Sequence, residues 1–166
     1  MNETDARKKA EENFLRGFNC TQSVVEVFCD ELKIEKKIAL KISQPFGGGA
    51  CRLREMCGTV SAMLLLLGFA EGSADSSDKN AKDSLYKNGQ KLCAEFREKN
   101  GSIVCRELLG ISAVNGSKKF LAENSVTGDA FSFVSESRTE SYYKKRPCPK
   151  LCADAAEIFC RYLNSK

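Results

Sequence analysis

Between Val60 and Leu67 the chain reads Val-Ser-Ala-Met-Leu-Leu-Leu-Leu, the most apolar stretch it contains. A helix that is apolar nearly all round has no face to offer water, so neighbours must wrap it. That requirement constrains the fold more than any other feature of the sequence. The run from Met56 to Ala70 is too short to span a membrane and carries Cys57-Gly58-Thr59 and Ser61, so its neighbours are expected to be protein.

The rest of the chain supplies those neighbours. Thr4 to Arg16 reads as a helix capped by Thr4 and stopped by Gly17. Asn19 caps a second, in which Val24, Val25, Phe28 and Leu32 form one stripe. Ile34 to Ser43 makes a third, ended by Pro45 and Gly47-Gly48-Gly49. The apolar run sits in a fourth, Leu53 to Phe69. Asp78 to Lys99 follows with Leu85, Leu92 and Phe96 inward, and Ser102 caps a short helix from Ile103 to Leu109. Pro147-Cys148-Pro149 opens a last helix running to Leu163. Residues 112 to 146 are irregular, with a short helix expected near Lys118 to Asn124 and a strand candidate at Ala130 to Ser135. The expected fold is all-α: one domain over residues 1–166, a bundle of six to seven helices. A chain of 166 residues buries enough surface to fold without a disulfide or metal.

Composition removes several function classes. With 26 basic and 22 acidic residues the net charge is only +4, and the longest basic cluster is Lys144-Lys145-Arg146. Neither suits a nucleic-acid surface. There are nine cysteines and no histidine. The lack of histidine excludes Ser-His-Asp and Cys-His triads, imidazole metal ligands and a histidine general base. The chain opens with a charged, helical stretch rather than a secretory signal, so a reducing, cytoplasmic setting is expected, without membrane insertion. There cysteine binds metal, cycles redox state or is simply buried.

Four cysteines share one kind of position. Cys20 follows the cap Asn19, Cys57 lies in the first turn or so of the apolar helix, Cys105 sits three residues beyond the cap Ser102, and Cys148 lies between prolines at the start of the last helix. Unpaired N–H groups and the helix dipole favour thiolate there. The competing reading is packing, since cysteine behaves as a small apolar side chain; it is preferred for Cys29, Cys93 and Cys160. Cys152 lies one turn after Cys148 and is a candidate partner thiol. Cys51 lies beside Arg52 and near Arg54, which either hold an anion or thiolate or form a solvated pair. Gly47, Gly48 and Gly49 either bring backbone amides to an anion or cluster, or form a tight turn. Tyr142, Tyr143 and Lys144 either cover a cleft or anchor the irregular segment. No Cys-x-x-Cys occurs, so no thioredoxin, ferredoxin or zinc-ribbon motif is present.

Four pieces carry a resemblance: Gly17-Phe18-Asn19-Cys20-Thr21-Gln22-Ser23-Val24, Phe46-Gly47-Gly48-Gly49 with Cys57-Gly58, Cys105-Arg106-Glu107-Leu108-Leu109-Gly110, and Cys148 ahead of the final helix. In order and spacing the chain resembles a bacterial family of redox-active proteins named for its cysteines: one Cys, a Cys-Gly-Ala-x-x-Gly motif, then two more Cys. The resemblance implies that Cys20, Cys57, Cys105 and Cys148 are the family cysteines. The chain departs from the motif at Thr59 and Ala62, where the family has Ala and Gly.

Three functions follow. Four thiolates could ligate an iron–sulfur cluster or zinc, with Gly47, Gly48, Gly49, Arg52 and Gly58 around it, and pass electrons to an electron-transfer protein. Acidified thiols could instead cycle through a disulfide, with a small-molecule thiol as partner. The third reading is a non-catalytic helical module that binds a small ligand or partner and uses cysteine for packing.

Overall fold

In the computed structural model, residues 1–111 and 132–166 are described. They form eight α-helices: α1 (Glu3–Leu15), α2 (Cys20–Phe28), α3 (Lys36–Ser43), α4 (Gly58–Glu71), α5 (Lys79–Asn100), α6 (Cys105–Leu108), α7 (Glu140–Lys144) and α8 (Cys148–Asn164). A 3-10 turn at Gln44–Phe46 extends α3. No strand occurs among the described residues, and the protein is all-α. The expected helix near Lys118 to Asn124 lies outside the described residues, as do the first two positions of the strand candidate.

The apolar helix sits where its composition demands. Val60, Ala62, Met63 and Leu66 of α4 are fully buried, and α2, α5 and α8 pack around them. The most extensive helix pair is α1 with α8. Ala6, Ala10 and Phe14 recur every fourth residue on α1 and meet Cys152, Ala155, Ala156 and Phe159 of α8, all buried in the same core. Small side chains at these positions let the two backbones approach closely. Phe28 of α2 stacks edge-on against Phe159 of α8, with centroids 5.0 Å apart.

One buried charge ties the bundle together. The Asp154 carboxylate on α8 is fully buried. It pairs with Arg7 of α1 at 2.7 Å, Lys99 of α5 at 3.1 Å and Lys150 of its own helix at 2.6 Å. A buried carboxylate persists only with such partners.

Several boundaries differ from the sequence-based expectation. The cap of α1 is Asn2, whose side chain accepts from the Asp5 N–H, rather than Thr4. Residues 53 to 57 are not helical, and α4 starts at Gly58 because the preceding backbone turns left-handed. Cys29 caps the C-terminus of α2 instead of lying mid-helix. The five-residue α7 appears within the stretch expected to be irregular, held by Thr139, whose hydroxyl accepts from the Tyr142 N–H.

Candidate functional site

The site is built around the N-terminus of α2. Asn19 caps it through a capping box with Gln22: its Oδ1 accepts from the Thr21 and Gln22 N–H groups. The Asn19 amide also donates to the Gln44 carbonyl at 2.8 Å, which fastens the start of α2 to the turn ahead of the glycines. Cys20 is the first helical residue, partly accessible. A hydrogen bond from the Cys148 thiol is the main cause that lowers the Cys20 thiol from 9.0 to about 6. Burial opposes the shift; the Gly48 N–H, the residue's own N–H and the Arg138 charge assist it. The same hydrogen bond and burial push Cys148 upward. The two thiols therefore titrate as a pair, in which loss of one proton is favoured and loss of the second is opposed.

The glycines approach the thiols because a side chain would not fit. A Cβ at Gly47 would lie 2.5 Å from the Asn19 amide nitrogen, and one at Gly49 would lie 2.7 Å from the Cys105 Cβ. At Gly58 it would meet the Thr21 hydroxyl at 2.6 Å and the Cys20 Cβ at 3.2 Å. The triple glycine forms a tight turn that packs directly against Asn19 and Cys105.

The turn continues with left-handed backbone at Gly48, Gly49, Ala50, Cys51 and Arg52, and again at Arg54. For non-glycine residues this costs roughly 1–2 kcal/mol each. Backbone hydrogen bonds offset the cost, among them Cys51 N–H to the Pro45 carbonyl at 2.6 Å and Leu53 N–H to Ala50 at 2.8 Å. The winding turns Arg54 inward, where it is 2% exposed.

The other family cysteines stand in distinct surroundings. Cys57 is the N-cap of α4 and buried, and burial raises its thiol to about 12. Its sulfur lies 3.2 Å from the Thr59 hydroxyl, within hydrogen-bond distance. Residues 54–57 run antiparallel to 103–106: the Cys57 N–H donates to Ile103 at 2.8 Å and the Cys105 N–H to Glu55 at 2.6 Å. This short pairing carries Cys105 to the cavity. Cys105 begins a four-residue helix, too short for a dipole argument, and its N-cap is Val104 rather than Ser102. Burial raises its thiol, with Arg54 pulling the other way through charge and a hydrogen bond. Cys148 opens α8, and Cys152 one turn on is fully buried with its sulfur 3.7 Å from the Cys20 carbonyl. Burial and the Cys20 charge keep Cys152 protonated. No group of three or more Cys, Asp or Glu side chains among the described residues is arranged to hold a metal ion.

A cavity of about 390 Å³ opens beside the pair. Among the described residues, Cys20, Cys105 and Cys148 line it, Cys51 sits at its exposed edge, and Arg52, Arg54, Arg138 and Arg146 surround it with one carboxylate, Glu136. Glu136 accepts from Arg146 and, at 3.2 Å, from Arg52, and lies 3.8 Å from Arg54. Burial disfavours its charge, yet these guanidinium groups hold its carboxyl below the ordinary 4.5. Arg138 donates to the Phe14 and Phe18 carbonyls, each at 3.1 Å, and lies 4.5 Å from the Phe14 ring centroid. Tyr142 stands between Arg138 and Arg146, at 5.2 and 4.7 Å from its centroid. Tyr142 thus lines the cleft, whereas Tyr143 anchors the segment by donating to the Leu15 carbonyl at 3.3 Å. Lys144 pairs with Glu140 on the surface. Arg138, Glu136 and Arg146 escaped the sequence reading. No local signal marked them, since Arg138 and Arg146 flank the five-residue α7 rather than lie on it.

Cysteines at helix starts beside an arginine-lined cavity in an all-α bundle fit a cysteine-rich, redox-active class of protein. Residues 18–162 match the family described as "Putative redox-active protein (C_GCAxxG_C_C)", and the chain belongs to that family. The family label orders its middle motif Gly-Cys-Ala-x-x-Gly, whereas this chain has Met56-Cys57-Gly58-Thr59. The glycine that the packing requires follows the cysteine. No curated protein and no solved structure matches the chain. No described helix is long and apolar enough to cross a membrane.

Proposed function

We propose that the protein carries out thiol–disulfide exchange, with Cys20 as nucleophile and Cys148 as resolving thiol. The observation that carries this reading is that Cys20 and Cys148 line the same cavity, with the Cys20 thiol lowered to about 6 chiefly by its Cys148 neighbour. In the forward direction the Cys20 thiolate attacks one sulfur of a disulfide, and the other sulfur leaves as thiolate. The proton held by Cys148 passes to that leaving group. The Cys148 thiolate then attacks Cys20, forming the Cys20–Cys148 disulfide and expelling the second thiolate, which is protonated from water. Two electrons pass from the protein dithiol to the substrate. Cys152, buried one turn from Cys148, is a reserve resolving thiol; Cys57 and Cys105 stay protonated.

Peptide mapping of the full chain, purified without oxygen and then exposed to a small disulfide, tests this. A Cys20–Cys148 linkage is expected first, preceded by a mixed disulfide on Cys20. Oxidation beginning at Cys57 or Cys105, or none at Cys20, overturns it. A visible absorption band lost on Cys57→Ser substitution would favour a cluster instead, and a colourless protein with slow thiols would leave a binding module.

A further inference from the structure

We propose that the cavity selects small disulfides bearing carboxylates, and that a substrate carboxylate takes the place of Glu136 among the arginines. This rests on the exchange reaction above and names its substrate class. Among the described residues, four arginines and one glutamate line the cavity, a surplus of positive charge beside Cys20. Such a surplus in a concave, half-enclosed space concentrates anions. Guanidinium groups also match carboxylate geometry with paired donors. Glu136 already demonstrates that match, since one carboxylate engages Arg52, Arg54 and Arg146 together. It is about one-third exposed and so can be displaced toward water, whereas Arg54 is held in place by burial.

Geometry sets the size limit. About 390 Å³ admits one small molecule and no folded domain. The arginines and the thiols share this one cavity, so a carboxylate held by the arginines belongs to the molecule whose disulfide meets Cys20. Tyr142, Phe14 and Phe133 supply apolar wall for the methylenes between those groups. The exchange remains as written: the dithiol loses two electrons, and the substrate disulfide is released as two thiols.

The test measures oxidation of the reduced full chain by three disulfides: anionic glutathione disulfide, neutral hydroxyethyl disulfide and cationic cystamine. Each rate is divided by that of a free small dithiol with the same reagent, which removes intrinsic reactivity. Glutathione disulfide is expected to be favoured about tenfold over the neutral reagent, with cystamine slower still, and added salt should erode the order. Glu136→Gln should raise the preference for the anion, and Arg146→Gln should lower it about fivefold. Circular dichroism verifies that both variants fold, and the reagent series in the unaltered protein needs no variant. Equal normalised rates for the three reagents overturn the substrate class and leave the exchange reading standing. Failure of all three to form the Cys20–Cys148 linkage overturns both.

Discussion

Replacing Cys148 by alanine removes the hydrogen bond that contributes most to the acidity of Cys20, and the consequence can be worked through. The Cys20 thiol titrates at about 6 against an ordinary 9.0. Near neutral pH the thiolate fraction is then roughly 90%, and it falls to roughly 1% if the ordinary value returns. The rate does not fall in proportion, because a more basic thiolate is the better nucleophile. A Brønsted slope of about 0.4–0.5 over that interval returns roughly twentyfold. The net loss is only about fourfold near neutral pH, but it grows to about twenty-fivefold near pH 6. Above roughly pH 8 the variant becomes the faster protein. The remaining Gly48 amide and Arg138 charge hold the variant somewhat below the ordinary value, so these figures are upper limits. The assay follows modification of Cys20 by a neutral disulfide across pH, with the adduct located by peptide mass. A crossing of the two profiles is the expected signature. Parallel profiles, or a native midpoint that stays near 9, would refute the argument that Cys148 sets the reactivity of Cys20.

Three further substitutions probe the frame. Gly58→Ala places a Cβ against Thr21 and Cys20, and should cost about 1–3 kcal/mol in urea unfolding while slowing Cys20 modification; unchanged stability would remove the close-approach argument. Ala50→Gly relieves left-handed backbone at φ 58° and should stabilise by up to about 1 kcal/mol, whereas destabilisation would contradict the strain. Asp154→Asn should cost about 2–4 kcal/mol near neutral pH, because three cations lose their shared carboxylate. Burial opposes ionisation of Asp154, but Lys150, Arg7 and Lys99 hold its carboxyl below the ordinary 3.8. Its contribution is therefore complete above that value and disappears as pH falls through the lower folded one, so native and variant stabilities should converge in acid.

Much of the fold was legible because helix signals are local. Val60 to Leu67 demanded burial on every side, and Asn19 marked the start of α2. The four helix-start cysteines were legible for the same reason, since a cap and a first turn lie within a few residues. What failed was also local but unusual. Leu53 to Cys57 carries helix-compatible residues, yet tertiary packing winds the preceding turn left-handed and delays α4 to Gly58.

The sequence by itself determined the helices, the buried central element and the supply of thiols near helix starts. Only the tertiary structure decided which thiols meet. It pairs Cys20 with Cys148, leaves Cys57 in the core beside Thr59, and sets Cys105 against Arg54. It also brought Arg138 and Arg146 from the far end of the chain to face Arg52 and Arg54 across the cavity. Proton sharing and charge depend on distances of a few ångströms, and contacts between residues more than a hundred positions apart are set by the packing of α1, α2 and α8 against one another.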